Sequence, residues 1–360
     1  MGPPLQTKSM EQKAGKEQTF FLIQLLRAVA ALMVVANHII VLLNERLRVP
    51  GAPPLNGAAG VDLFFIISGF VMTISSQRLF GKADGMRTFL ARRIERIVPL
   101  YWIATTAKIL LVLAFPLLAI NQIGSPWRVI SSYLFLPTFD PRMPHPVLNV
   151  GWTLNYEMLF YVFFAVALGL RVPVLRVLVP ALGTISILSW MAKPTWPVWL
   201  VSYDSMVLEF LFGVLLAKAT LAGRIAGRWL SAVLFAGGFV VLMSFSDEHL
   251  RVFRFGLTAL AIVTGAVGLE STLGKRVPRW VLAIGDASYA IYLVHGFVLP
   301  SVGLWMEDRQ MLGPHTILVA FVAGMVGSTS MGILVHRYLE VPMMRTLRAR
   351  RRDVIPVGAK

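Results

Sequence analysis

The 360-residue chain is 56% hydrophobic, has a mean hydropathy of +0.70 and carries a formal charge of +16. Such hydropathy excludes the pair of soluble domains that length alone suggests, and apolar segments of about 20 residues point to an all-α bundle that crosses a bilayer repeatedly. With no cysteine, disulfides, thiolate metal sites and a cysteine nucleophile are excluded.

Residues 1–17 read as a polar cytoplasmic tail carrying Lys8, Lys13 and Lys16. No signal-peptide pattern precedes the first apolar run, so that run is expected to be retained. About ten transmembrane helices are predicted, near 18–43, 57–77, 98–120, 150–170, 173–192, 204–222, 228–246, 254–270, 281–304 and 315–337, making 18–342 one transmembrane domain. Residues 343–360 then form a basic tail, expected on the cytoplasmic side, with Arg345 to Arg352 as a topology anchor. Placing the N-terminus inside puts about 24 Lys and Arg on one side and about 8 on the other, the asymmetry of a positive-inside protein with both termini cytoplasmic. Because the charge sits in short loops, it reads as topology and not as a nucleic-acid surface.

The first span carries Arg27 and His38. Eleven residues of helix rotate roughly 1100°, about 20° past three turns, and rise about 16 Å, so the two share a face. Arginine at membrane depth costs a few kcal/mol and normally faces a protein interior or a wet cavity. The structural alternative is an arginine snorkelling to the headgroups and a histidine bonded within a packed bundle. The second span opens on Gly60-Val61-Asp62, bringing a carboxylate in near its outer end. Between 76 and 98, Arg87, Arg92, Arg93 and Arg96 interleave with Phe89, Leu90, Ile94 and Ile97, which predicts a basic amphipathic helix at the inner surface. Lipid headgroups and an anionic ligand are both compatible with it.

The Pro-rich connection 121–150 contains an apolar run, Val129 to Leu136, expected to be re-entrant or interfacial. In the fourth span, GWTLNYEMLFY at 151–161 sets Glu157 about 10 Å below the outer end, at a depth similar to that of His38. A carboxylate beside an imidazole raises its basicity and fixes its tautomer, a role open to Glu157 or Asp62. The ninth span pairs Asp286 with Tyr289 and Tyr292 with His295 at i,i+3 spacing. Interhelical hydrogen bonding alone accounts equally for Ser288, Tyr289 and Tyr292. At the end of the last span, Glu340 of YLEVP lies among arginines with which it can pair. No HExxH, GxxxxGK or GxSxG pattern occurs, so metal-free chemistry is expected.

Arg27 and His38 with ten residues between, VDLFFIISGF at 61–70, ARRIERIVPLYW at 91–102, GWTLNYEMLFY at 151–161, SYAIYLVH at 288–295 and YLEVP at 338–342 together resemble the acyltransferase-3 family. The GWTLNYE form is most similar to members that modify exopolysaccharides such as succinoglycan. The resemblance implies an inner-membrane O-acyltransferase that takes an acyl group, usually acetyl, from acyl-CoA on the cytoplasmic side. A sugar hydroxyl, often on a lipid-linked or nascent polysaccharide at the outer face, is the implied acceptor, alongside membrane lipids and polysaccharide-synthesis machinery as partners. The family's Arg and His motif falls on Arg27 and His38, and its inner-loop arginine pair on Arg92 and Arg93.

Thioester-to-hydroxyl transfer needs a general base and a cradle for an anionic donor. His38 is expected to be the base, oriented by Glu157 or Asp62, with Arg27, Arg92 and Arg93 holding acyl-CoA. Trp152, Asn155, Tyr292 and His295 are assigned to the sugar acceptor. Direct transfer and an acyl-imidazole intermediate both remain open. The competing class is a secondary transporter or glycan flippase, since intramembrane Arg, His, Asp and Glu also build substrate paths. A non-catalytic scaffold is the third reading.

Overall fold

A computed structural model describes residues 20–49, 55–115, 123–140, 142–193, 195–200, 202–244, 251–311 and 315–354, and among these there is helix but no strand. The N-terminal tail 1–17 lies outside the described residues. Helix α1 (Phe21–Val41) is followed by α2 (Gly60–Ser75), α3 (Gly85–Ala114), the short α4 (Pro126–Leu134), α5 (Trp152–Gly169) and α6 (Leu175–Met191). Then come α7 (Val207–Leu221), α8 (Arg228–Ser244), α9 (Leu257–Leu273), α10 (Arg279–Asp286), α11 (Ser288–Asp308), α12 (Thr316–Val335) and α13 (Val341–Val354). Seven of the described helical stretches are long and apolar enough to cross a membrane. With the shorter apolar α6, α7 and α8 they make the polytopic bundle that the hydropathy pattern implies.

α1 is the central post, packing against α2, α9, α10, α11 and α12. Its residues explain this: Leu26, Ala30, Ala31, Val35 and Ile39 are buried on several sides, and small alanines let neighbouring backbones close in. Lipid tails are as apolar as leucine, so helix association here depends on such close fit and on buried polar contacts. The closest seam joins α2 and α7. A Cβ on Gly69 would meet the Phe210 carbonyl oxygen at 2.1 Å, and one on Gly213 the Ile66 carbonyl oxygen at 2.1 Å. Both obstacles are backbone, so neither can swing away. Gly213→Leu should therefore force the seam apart, costing about 1–3 kcal/mol or more. A lower midpoint of thermal inactivation in detergent, with Ala320→Gly as a milder core control, measures it.

Three boundaries differ from the sequence reading. The amphipathic segment near 76–98 and the span expected from 98 form one 30-residue helix, α3, with Pro99 inside it. Phe89, Ile97, Leu100 and Tyr101 continue one buried stripe through the proline, so packing holds the helix together despite the missing N–H. The span expected at 281–304 is broken at Ala287 into α10 and α11. Gly285 makes the turn fit: a Cβ there would lie 2.3 Å from the Gln24 carbonyl oxygen of α1. Finally, the segment expected to be a tail from 343 is helical through Val354, joined to α12 by the π-helical turn His336–Glu340.

The Pro-rich connection between α3 and α5 does contain a short helix. Ser125 caps α4 by accepting from the Arg128 N–H at 3.2 Å, and Pro126 occupies the first turn, where no N–H is needed. Arg128 turns inward to the carbonyl oxygens of His145 (2.9 Å) and Pro146 (3.2 Å), folding the connection on itself. Trp102 Nε1 donates to the Tyr133 carbonyl oxygen at 2.9 Å, tying α4 to α3. Trp127, Ile130 and Leu134 stay exposed, as an interfacial helix requires.

Candidate active site

Two cavities enter the bundle from opposite ends and approach each other along α11. The first, about 360 Å³, lies at the Arg27 end of α1, and its wall includes Arg27, Arg93, Arg96, Glu157, Tyr292 and Arg348. The second, about 860 Å³, is lined at the other end by His38, Arg46, Lys108, Asn149, His295 and Leu299. Tyr292 lines the first and His295 the second, three residues apart on one helix, so the partition at this point is a rise of about 4.5 Å.

At the basic end, Arg27 is fixed by two donated bonds, to Gln24 Oε1 (3.0 Å) and to Ser288 Oγ (3.0 Å). Gln24 Nε2 in turn donates to Asp286 at 2.7 Å. The break at Ala287 is what allows Ser288 to reach the arginine while Asp286 faces Gln24. Glu157 accepts from Ser68 Oγ at 3.0 Å and from the Tyr161 hydroxyl. Arg93 stacks over Phe89 at 5.6 Å, and its buried Nε makes no hydrogen bond within the protein. Tyr289 donates to the Ile97 carbonyl oxygen at 2.7 Å, holding α11 against α3 beside the cavity.

At the other end, His38 Nδ1 lies 2.9 Å from the Val34 carbonyl oxygen. A carbonyl can only accept, so the proton sits on Nδ1 and Nε2 keeps its lone pair. The His295 ring meets His38 edge-on with centroids 4.8 Å apart. His295 is fully buried, and neither of its nitrogens is hydrogen-bonded within the protein. Behind it the Tyr292 hydroxyl lies 2.8 Å from both the Val150 carbonyl oxygen and Thr153 Oγ1, and Thr153 Oγ1 lies 3.3 Å from the same carbonyl, so the two hydroxyls share one acceptor. Arg46 at the rim is bound bidentately by Glu307, both distances 2.7 Å.

Several residues singled out from the sequence are placed differently from expectation. Glu157 does not neighbour His38; it lies with Arg27 and Arg93 in the basic cavity, and the Val34 carbonyl takes the orienting role expected of a carboxylate. Asp62 does not neighbour His38 either, being paired with Arg251 at 2.8 Å. Counting from the helix ends sets Glu157 and His38 at one depth, but Glu157 bonds Ser68, about two turns beyond Gly60, which packs beside Ala30 and Val34, so Glu157 lies level with the Arg27 end of α1. Arg92 is exposed outside the cavity, whereas Arg93 and Arg96, one helical turn apart, both line it. Trp152 packs between His145 and Tyr156, and Asn155 donates to the Leu136 carbonyl oxygen at 3.3 Å, tethering the Pro-rich connection; neither lines either of these two cavities. Arg27 and His38 do share a face of α1, one opening to each cavity.

The sequence reading does not single out Lys108 or Arg348. Lys108 is a lone cation in the apolar run 100–114, a signal present in the sequence. Arg348 reaches a cavity only because α13 folds back on α3, for which local pattern gives no sign. Among the described residues no group of three or more His, Asp or Glu is placed to hold a metal ion.

The acyltransferase-domain family profile matches residues 22–334, thus containing both cavities except for Arg348. The chain is 35% identical over 308 residues to exopolysaccharide production protein ExoZ of Rhizobium meliloti (strain 1021), covering 82% of this chain and 92% of that protein. It is 28% identical over 341 residues to acyltransferase MdmB of Streptomyces mycarofaciens, with 82% and 83% covered. No solved structure matches the chain.

Proposed function

The chain belongs to the acyltransferase-3 family, and on that premise we propose that it moves an acyl group, acetyl in the first instance, from acyl-CoA to a sugar hydroxyl of an exopolysaccharide or related surface glycan. The observation that carries this reading is the meeting of two unlike cavities at Tyr292 and His295, one walled by arginines and the other containing a histidine with a free Nε2. A transporter needs one site that opens alternately; a group transfer between a donor and an acceptor from opposite sides needs two sites that touch. Family membership also favours the enzyme over the transport reading.

In this mechanism Arg27, Arg93 and Arg96 draw in the anionic donor, with Arg93 Nε as an orphaned donor suited to a phosphate or amide oxygen. The cavity of about 360 Å³ is at the small end for ligand sites, so it takes the acyl-pantetheine arm and leaves the nucleotide at its mouth. His38 Nε2 accepts the proton of the acceptor hydroxyl as its oxygen attacks the thioester carbonyl. A carbon–oxygen bond forms, the carbon–sulfur bond breaks, and the same proton passes from His38 to the departing thiolate. His295 holds the tilt of the His38 ring through the edge contact.

We place the protein in the bacterial inner membrane, with both termini and the basic cavity cytoplasmic and the His38 cavity outside. Its partners are then a lipid-linked or nascent polysaccharide, the surrounding lipids and the polysaccharide-synthesis machinery. Because the chain has no cysteine, single-cysteine labelling tests the orientation cleanly. Arg224→Cys should react with an impermeant maleimide only after permeabilisation, and Lys193→Cys in intact cells; the reverse pattern would invert the assignment. For the activity, mass spectrometry of surface polysaccharide should show loss of acyl substituents when the gene is deleted. Transfer of label from acetyl-CoA to that glycan by the purified protein should complete the demonstration, and an unchanged glycan would overturn it.

A further inference from the structure

Glu340 is fully buried, although the other carboxylates described at the basic end have some solvent or a hydroxyl partner nearby. One of its oxygens lies 2.8 Å from His336 Nδ1, and the other lies 4.0 Å from Arg96 Nη1 and makes no hydrogen bond. Burying a carboxylate is costly, and an ion pair at the contact limit repays little of that cost. What the arrangement does supply is a fixed negative charge behind Arg96, a cavity-lining arginine, that draws its guanidinium toward the α12–α13 turn.

His336 and Glu340 belong to the π-helical turn after α12, and α13 follows directly, packing on α3. That return brings Arg348 to the mouth of the basic cavity. All three residues lie beyond the segment 22–334 that the family profile matches. With them the wall presents Arg27, Arg93, Arg96 and Arg348 against Glu157. An acyl-pantetheine arm is uncharged and has no use for four guanidinium groups, whereas three phosphates at the cavity mouth do.

We propose that residues 336–348 complete a phosphate-recognition site at the mouth of the basic cavity, in which Glu340, held by His336, is a positioning residue for Arg96, and Arg348 binds directly. The ligand is the nucleotide-phosphate end of acyl-CoA. This rests on the donor reading given above. The C-terminal helix is thereby part of the donor site in addition to any role in topology.

The test compares two donors, acetyl-CoA and acetyl-pantetheine, with the full-length protein in lipid nanodiscs. The wild type should use acetyl-CoA at the lower KM. Arg348→Ala and Glu340→Gln should each raise KM for acetyl-CoA about threefold to tenfold, leave kcat within about twofold, and leave KM for acetyl-pantetheine unchanged, as loss or misdirection of one charge-assisted contact implies. Arg348→Lys should recover part of the loss. Equal KM changes for both donors, or no change for either, would overturn the proposal. Should Glu340→Gln fail to fold, Arg348→Ala decides alone, since Arg348 is exposed on α13. Failure of the wild type to use either thioester would instead overturn the donor reading itself.

Discussion

His38→Ala should lower acyl transfer by about 10² to 10⁴-fold, the usual contribution of a positioned general base, while acyl-CoA binding stays within about twofold of wild type. The separation follows from the geometry. His38 lines the cavity opposite the arginines, 16 Å or so from Arg27 along α1, so its removal leaves the donor wall intact. His38→Gln is the informative companion. Its amide can keep a bond to the Val34 carbonyl and much of the ring's volume, yet it cannot take a proton. Glutamine should therefore be as inactive as alanine, and near-normal transfer by it would make the histidine structural. His295→Ala should be milder, because His295 contacts His38 without a hydrogen bond and acts through the orientation of that ring. Comparable losses from the two variants would point to His295 as the base. Glu157→Gln belongs to the donor side and should move KM for acyl-CoA, not the pH dependence of kcat, since Glu157 bonds Ser68 and Tyr161 in the arginine cavity.

Periodicity within one helix was readable from the sequence. Arg27 and His38 sit three turns apart on α1 in fact as in the arithmetic, and the same rule applied to α3 would have paired Arg93 with Arg96 instead of with its chain neighbour Arg92. Relations between helices were not readable. Glu157 bonds Ser68 of α2 in the cavity that holds Arg27, well along the bundle from His38, and no feature of GWTLNYE specifies how α5 sits along or around its neighbours. The break at Ala287 is not legible for a related reason: no proline or capping pattern marks Gly285-Asp286-Ala287, and the approach of Gly285 to the Gln24 carbonyl depends on a contact between helices. Fold class was the easier matter, because twenty-residue apolar runs leave helices as the only way to satisfy the backbone in lipid. Asp62 illustrates the limit most clearly: from the sequence it is a carboxylate near the end of a span, open to orienting His38, and its partner Arg251 is 189 residues away.

Asp62→Ala should remove most of the folded protein from the membrane, and that loss, not a slower turnover, should account for whatever activity disappears. Asp62 is 0% exposed at the start of α2, and Arg251 beside it is 17% exposed. The arginine donates to both carboxylate oxygens, at 3.3 and 2.8 Å, and to the Ala58 carbonyl oxygen at 3.0 Å, tying the turn before α9 to the start of α2. Deleting one member of a buried pair typically costs about 3–5 kcal/mol, and the lower end of that range applies here because the Glu209 and Asp204 carboxylates also act on Arg251. The aromatic face of Phe255, 5.7 Å from the Arg251 guanidinium, compensates little, being worth about 0.5–2 kcal/mol and present in both forms. Removing both charges relieves the Asp62–Arg251 part of the penalty while leaving the buried Glu209 carboxylate without Arg251, so Asp62→Asn with Arg251→Gln should recover only part of the folded protein lost in Asp62→Asn alone. The measurement is activity divided by monodisperse protein, taken from fluorescence-detected size exclusion of detergent extracts. A catalytic Asp62 would give abundant, well-folded, inactive protein in the single variant and no recovery in the double. A structural Asp62 gives scarce protein whose surviving molecules turn over at close to the wild-type rate, the opposite signature to that expected of His38→Gln.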